Sequence, residues 1–197
     1  RFFFGGLLAT ARRCDEFVPH VEKMRELDPL NPVINAHVSL FLFYAGRGEE
    51  AIAAVERSLE LFPDFWFLHY ERSFFLWQRR DGEAAIASMR KAVEMTDGSI
   101  PFLLCVFAAL YFDFGRRDEG ERLLARIDEL SDAGRVSTTG WTFIVVVRGN
   151  TAAAIDWLER GRAEHDTLFV WTRAFCEQQG LIADERIRAA MERLGLP

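Results

Sequence analysis

Cysteine is scarce in this chain: Cys14, Cys105 and Cys176 are odd in number and far apart. No CxxC pair or histidine-rich tract accompanies them, so neither a disulfide framework nor a zinc site organises the sequence. Buried free thiols are the expectation, because an unpaired cysteine behaves as a small hydrophobe. The composition suits a reducing, cytoplasmic setting. Long apolar runs are also missing. The longest stretch without a charged residue or a histidine is residues 98–112, and it contains Pro101, whereas a bilayer-spanning helix needs about 18 or more apolar residues. There is no basic block either. Lys and Arg number 24 against 30 Asp and Glu, a net charge of −6 with both signs scattered, so nucleic acid is not an expected partner. The opening RFFFGGLLATARR has too short an apolar part for a secretory signal and lacks a cleavage site. A start at Arg1 rather than methionine reads as a fragment of a longer protein whose missing part is N-terminal.

Catalytic signatures are absent as well. There is no GxSxG, HExxH, phosphate-binding loop or kinase motif, and Gly5-Gly6 has no Lys-Ser/Thr after it. None of His20, His37, His69 and His165 has a metal-ligand partner three or four residues on. His37 and His69 fall at similar places in consecutive helices and could approach one another. The acidic pairs Glu49-Glu50 and Asp118-Glu119 fall in first helical turns, where carboxylates complement the positive end of the helix dipole. Neither an enzyme nor a cofactor or metal is expected.

What the chain has is aromatics and a period. Half of it is hydrophobic and 18 residues are Phe. The segments EEAIAAVERSLELFPD (49–64), EAAIASMRKAVEMTDG (83–98), DEGERLLARIDELSDA (118–133) and TAAAIDWLERGRAEHD (151–166) align. A small residue stands at one place in each: Ala51, Ala85, Gly120 and Ala154, spaced by 34, 35 and 34. Two helices joined by a tight turn must approach closely where they cross, and a bulky side chain there overpacks the crossing. CDEFVPHVEKMRELDP (14–29) fits the same frame with Phe17 at the small position, and Pro29 and Pro63 are 34 apart.

Five units result, at about 1–31, 32–65, 66–100, 101–134 and 135–166. Each holds an apolar first helix, such as NPVINAHVSLFLFYAG, and an amphipathic second helix, as in Ala51, Ile52, Val55 and Leu59. Asn31 before Pro32 predicts an N-cap, and Ser99 near Pro101 another. Gly46, Gly115 and Gly149 predict left-handed helix ends, with Asp81-Gly82 in that role in the third unit. Asp184 opens a last helix that runs to Leu194 before Gly195, and residues 167–197 form a polar-faced cap.

The period, the small crossing residues and the unit-ending proline resemble tetratricopeptide repeats over nearly the whole chain. That resemblance implies an all-α, right-handed superhelical solenoid of about five helix-turn-helix repeats with a C-terminal capping helix pair, forming one domain over 1–197. LDPLNP (27–32), AIDWLERG (154–161) and MERLGLP (191–197) look like the C-terminal repeat regions of bacterial multidomain regulators, in which a nucleotide cyclase, kinase or winged-helix domain precedes the repeats. RAFCEQQGLIADERIRAAM stands where such regions carry an Asp-Pro-rich stretch.

By the same resemblance the first helices line a concave groove. Its partner-binding residues here are Phe43, Tyr70, Phe74, Trp77, Phe112 and Phe143, an apolar trough for a partner helix or extended segment. The Lys/Asn clamp of chaperone-binding members is missing. Arg47, Arg79, Arg80, Arg116 and Arg117 recur at the turns. They either satisfy local helix ends or form a basic rim for an acidic partner. The expected function is therefore a protein–protein interaction or assembly module, the sensory or scaffolding region of a bacterial signalling protein. Its partner is a protein or peptide, another domain of the same protein, or a second copy in a homodimer. The alternative is a small-molecule effector domain enclosed by Phe74, Trp77 and Phe112. Light scattering with and without Trp77→Glu would separate a dimer through the trough from a monomer.

Overall fold

A computed structural model describes residues 14–132, 134, 136–178 and 184–195. The first helix expected in unit 1–31 lies outside them. The described residues are all-α, with helices α1 Cys14–Leu27, α2 Pro32–Tyr44, α3 Gly48–Leu61, α4 Trp66–Gln78, α5 Gly82–Met95, α6 Pro101–Asp113, α7 Arg117–Asp132, α8 Thr138–Val147, α9 Thr151–Ala163, α10 Phe169–Gln178 and α11 Glu185–Arg193. The chain divides into two compact units, Arg1–Thr96 and Asp97–Pro197.

In the first unit α2 pairs with α3 and α4 with α5, and the first helices α2 and α4 also touch. The second unit repeats the scheme: α6 pairs with α7, α8 with α9, and α6 packs on α8. The first helices are apolar on most sides and are buried accordingly, with Leu103–Tyr111 of α6 buried without interruption. The second helices bury one stripe, as Ala85, Ile86, Met89 and Ala92 do in α5.

One local device sets the repeat. After each first helix a single residue turns left-handed: Gly46 (φ 77), Arg80 (φ 62), Gly115 (φ 74) and Gly149 (φ 70). The next amide then bonds back into the helix, as in Arg47 N to Leu42 O (2.9 Å), Asp81 N to Leu76 O (3.0 Å), Arg116 N to Tyr111 O (2.8 Å) and Asn150 N to Val145 O (2.9 Å). This is the Schellman closure. In the third unit the left-handed residue is Arg80, not the Asp81-Gly82 pair. Asp81 instead caps α5, its side chain accepting from Ala84 N. A side chain at φ > 0 costs about 1–2 kcal/mol that glycine avoids. Arg80→Gly should therefore stabilise the chain by about 1 kcal/mol, read as a raised thermal midpoint.

The small positions sit at crossings. Ala51, Ala85 and Ala154 are fully buried. At Gly120 a Cβ would come within 2.8 Å of the Phe112 ring, so only glycine admits that ring. Ser73 Oγ of α4 donates to the Ala85 carbonyl of α5 at 2.7 Å. Replacing Ala85 with Leu should break this seam and destabilise by about 1–3 kcal/mol; an unchanged melting curve would refute the crossing. Phe17, the exception, packs its ring edge-on to Phe41 at 4.5 Å and so joins α1 to α2.

The caps follow from sequence with one exception. Asn31 Oδ1 accepts from Val33 N (3.1 Å) and Ile34 N (3.2 Å), with Pro32 in the first turn. Asp184 caps α11 through Arg186 N. Ser99 does not cap α6. The cap position is Ile100, held extended (φ −105, ψ 98) because it precedes Pro101, and no side chain serves it.

Candidate functional site

The aromatic positions of the first helices separate by burial. Phe43, Phe74, Trp77 and Phe143 are buried core residues. Phe43 stacks on Phe75 at 4.6 Å and tilts against Phe74 at 5.1 Å, and Phe143 meets Phe102 edge-on at 5.8 Å. A helix flanked on most sides buries most of its face, so these four rings hold their units together and offer no open lining. Tyr70 and Phe112 remain half-buried. Tyr70 stacks between Phe67 (5.5 Å) and Phe74 (6.2 Å) in the first unit. Burial pushes its phenol pKa up. Phe112 belongs to the second unit, so Phe74, Trp77 and Phe112 are two core residues of one unit and a half-exposed ring of the other.

Beside Tyr70 lies Glu71, fully buried on α4. Its Oε2 is 2.7 Å from Ser39 Oγ of α2, and its Oε1 has no hydrogen-bond partner. Ser39 Oγ is also 2.8 Å from the Ala36 carbonyl. A hydroxyl has one proton and the carbonyl can only accept. Both contacts are met if the Glu71 carboxyl is protonated and donates to Ser39, while Ser39 donates to Ala36. Burial acts in the same direction and holds the Glu71 pKa well above the usual carboxylate range. Glu71 is therefore a neutral core acid. His37 on α2 is shifted the other way: desolvation lowers its pKa to about 4. It does not pair with His69, whose Nε2 is 2.8 Å from the Pro63 carbonyl. The residue equivalent to His69 is Asn35, whose Nδ2 donates to Pro29 O at 2.9 Å.

The turn arginines are engaged by neighbouring carboxylates. Arg47 grips Glu50 with both prongs, Nε to Oε1 at 2.7 Å and Nη2 to Oε2 at 2.6 Å, and holds that carboxyl below its ordinary range. Arg79 reaches Glu49 at 3.5 Å and Arg116 reaches Glu119 at 3.8 Å. Arg80 supplies the left-handed turn residue. Arg117 and Arg148 both approach Glu121, at 3.9 and 3.4 Å.

Those last two arginines border a cleft of about 660 Å³ in the second unit, lined by Phe112, Gly115, Arg117, Val145, Val147, Arg148 and Asn150. Its apolar wall is Phe112, Val145 and Val147. The Arg148 guanidinium lies over the Phe112 ring at 4.9 Å, a cation–π contact. The sequence points to Phe112 and Val147 on first-helix faces and to Arg116, Arg117 and Arg148 as turn arginines, but not to Val145. The small Gly120 was the available signal, because it lets Phe112 turn toward α7. A second apolar surface lies in the first unit, where Leu27, Leu30, Val33 and Leu61 are exposed. Leu61 borders hollows of about 360 and 290 Å³. Leu27 and Leu61 are 34 residues apart, an equivalence the period alone could have flagged.

Burial pushes the Cys105 thiol up to about 12 and raises Cys176 as well, so neither is a ready nucleophile. Among the described residues no group of three or more His, Cys, Asp or Glu is placed to hold a metal. No described helix is long and apolar enough to cross a membrane.

No protein-family profile matches the chain, and no curated protein matches it. Among solved structures it is similar to a chain of the structure described as Naa15/Naa10 bound to HypK-THB, with a TM-score of 0.52 and 16% identity. That likeness covers 92% of this chain and 29% of the other, so this chain spans under a third of the similar one. It establishes a tetratricopeptide-like helical-repeat fold.

Proposed function

We propose that this chain is a non-enzymatic protein–protein interaction module that binds its partner at the cleft of the second unit. The observation that carries the proposal is the cleft itself: about 660 Å³ bounded by Phe112, Val145 and Val147, with two guanidiniums at its border. Aromatic and arginine side chains around a hollow with one apolar wall are the residue types on which binding energy concentrates. The description of the similar solved structure names a bound partner, HypK-THB, which accords with an interaction role. The wider setting proposed is the cytoplasmic sensory or scaffolding region of a bacterial signalling protein, on the likeness of LDPLNP, AIDWLERG and MERLGLP to such repeat regions.

Site-specific photo-cross-linking tests this. A photoreactive residue at Val147, in cells, should trap a discrete partner, and one at Ala87 on exposed α5 should not. If neither position or both trap the same products, the cleft is not the interaction site. A product of twice the chain's own mass would make the partner a second copy, which light scattering on the purified chain would show independently. A small-molecule effector role is the second reading, favoured by a volume within the range of about 300–1,000 Å³ usual for small-ligand sites.

A further inference from the structure

The two arginines at the cleft are less closely paired than Arg47, and they share one carboxylate. Arg47 holds Glu50 through two bonds of 2.7 and 2.6 Å, the length expected of charge-assisted pairs. Arg117 and Arg148 share one carboxylate, Glu121, at 3.9 and 3.4 Å. Among the described residues Glu121 is the one carboxylate within salt-bridge distance of either guanidinium. Two positive charges therefore face one negative charge across distances too long for good hydrogen bonds. Both guanidiniums stay accessible, with 77% of the Arg117 side chain and 38% of the Arg148 side chain exposed. Arg148 is also held in place by the Phe112 ring beneath it, which limits the side-chain entropy lost when it binds an anion.

We infer that the cleft recognises an acidic side chain flanked by apolar residues, within an extended segment of a partner protein. The carboxylate bridges Arg117 and Arg148 in place of Glu121, and the neighbouring apolar side chains lie on Val145, Val147 and Phe112. The charge balance selects this ligand over a polyanion. Arg116, next to the cleft, reaches Glu119 at 3.8 Å, so the surplus at the cleft is that of Arg117 and Arg148 over Glu121. One excess positive charge matches one carboxylate. A nucleic-acid backbone, with its repeated phosphates, would need more than one surplus positive charge.

This inference rests on the cleft being the interaction site, and the test separates the two. The probes are two fluorescein-labelled peptides blocked at both ends, Val-Leu-Glu-Leu-Phe and its uncharged counterpart Val-Leu-Gln-Leu-Phe, titrated onto the whole chain by fluorescence anisotropy. The Glu peptide should bind about tenfold more tightly than the Gln peptide. Its binding should weaken as salt rises. Glu121→Gln, which removes the internal competitor, should tighten it several-fold. Arg117→Gln with Arg148→Gln should abolish the difference between the peptides, while Arg47→Gln should leave it unchanged. Thermal melts establish that each variant is folded. Equal binding of the two peptides, no binding of either, or a preference indifferent to Arg117 and Arg148 overturns the acidic recognition. If that happens while the Val147 cross-link persists, the interaction role stands and only the ligand chemistry fails. If the cross-link is lost as well, both fail.

Discussion

Trp77→Ala is expected to unfold the first unit well before any effect on association can be read. Trp77 is 1% exposed, and truncating a buried Trp to Ala typically costs about 3–5 kcal/mol. In a unit of this size each kcal/mol lowers Tm by roughly 4–8 °C, so a fall of roughly 12 °C or more follows. Lys91→Ala, on the exposed face of α5, should shift it little, within about 0.5 kcal/mol. The comparison also changes what Trp77→Glu can report. A glutamate at this buried position puts a charge in the core, so lost dimerisation would reflect lost folding. If Trp77→Ala melts like the wild type, the burial of the α4 face is mistaken. Association through a surface is better tested at Val147, which is half exposed.

Stability should respond to pH through two buried groups with opposite signs. Glu71 has a raised pKa in the folded chain, so the folded state binds the extra proton. Its contribution is fully present below the ordinary carboxyl value near 4.5 and is lost as pH rises toward the folded value. His37 has a pKa lowered from 6.5 to about 4, so the unfolded state binds the extra proton. Its contribution is present above 6.5 and is lost as pH falls toward 4. Between 4.5 and 6.5 the two slopes oppose each other and should leave a plateau. From there to about pH 8, below the ordinary thiol range of Cys105 and Cys176, Glu71 sets the slope, and stability should fall by up to about 1.4 kcal/mol per pH unit. In Glu71→Gln the amide can donate to Ser39 as the protonated carboxyl does, so the alkaline decline should disappear while stability near neutrality rises. Denaturant midpoints measured from pH 4 to 8 on both proteins check this. A wild type that gains stability up to pH 8, or a Gln variant that declines in parallel with it, rules out a neutral buried Glu71.

The candidate site was only partly legible in the sequence. Glu71 follows the groove candidate Tyr70 on a first helix, and nothing in the spacing distinguishes a groove carboxylate from a core one. Only the approach of Ser39 from α2 and the Ala36 carbonyl behind it identify the protonated state. The ring residues posed a similar difficulty. Tyr70 and Trp77 carry the same aromatic signal, yet one is half exposed and the other buried, because neighbouring helices cover α4 unevenly. The turn arginines were read as either local caps or a rim. Their distances separate Arg47, closed onto Glu50, from Arg117 and Arg148, which share Glu121.

The sequence by itself determined the helices, their pairing period and most of their caps, Ser99 and the Asp81-Gly82 pair being the exceptions. Those depend on interactions within a few residues: Asn31 with its own first turn, a left-handed residue after each first helix, and an alanine or glycine where paired helices cross. These features recur every 34 or 35 residues and need no knowledge of distant neighbours. Even the exception, Arg80 turning left-handed where its counterparts are glycines, is fixed by that local closure. The tertiary structure alone decided which apolar residues are core and which are surface, and which charges are satisfied. Phe43 is buried because residues of another repeat, Phe74 and Phe75, cover it, whereas Phe112 stays half open beside a cleft whose other wall comes from α8. The burial of Phe43 depends on Phe74 and Phe75 in the next repeat, and Arg148 meets Glu121 27 residues away, so the sequence could propose a binding face but not place it.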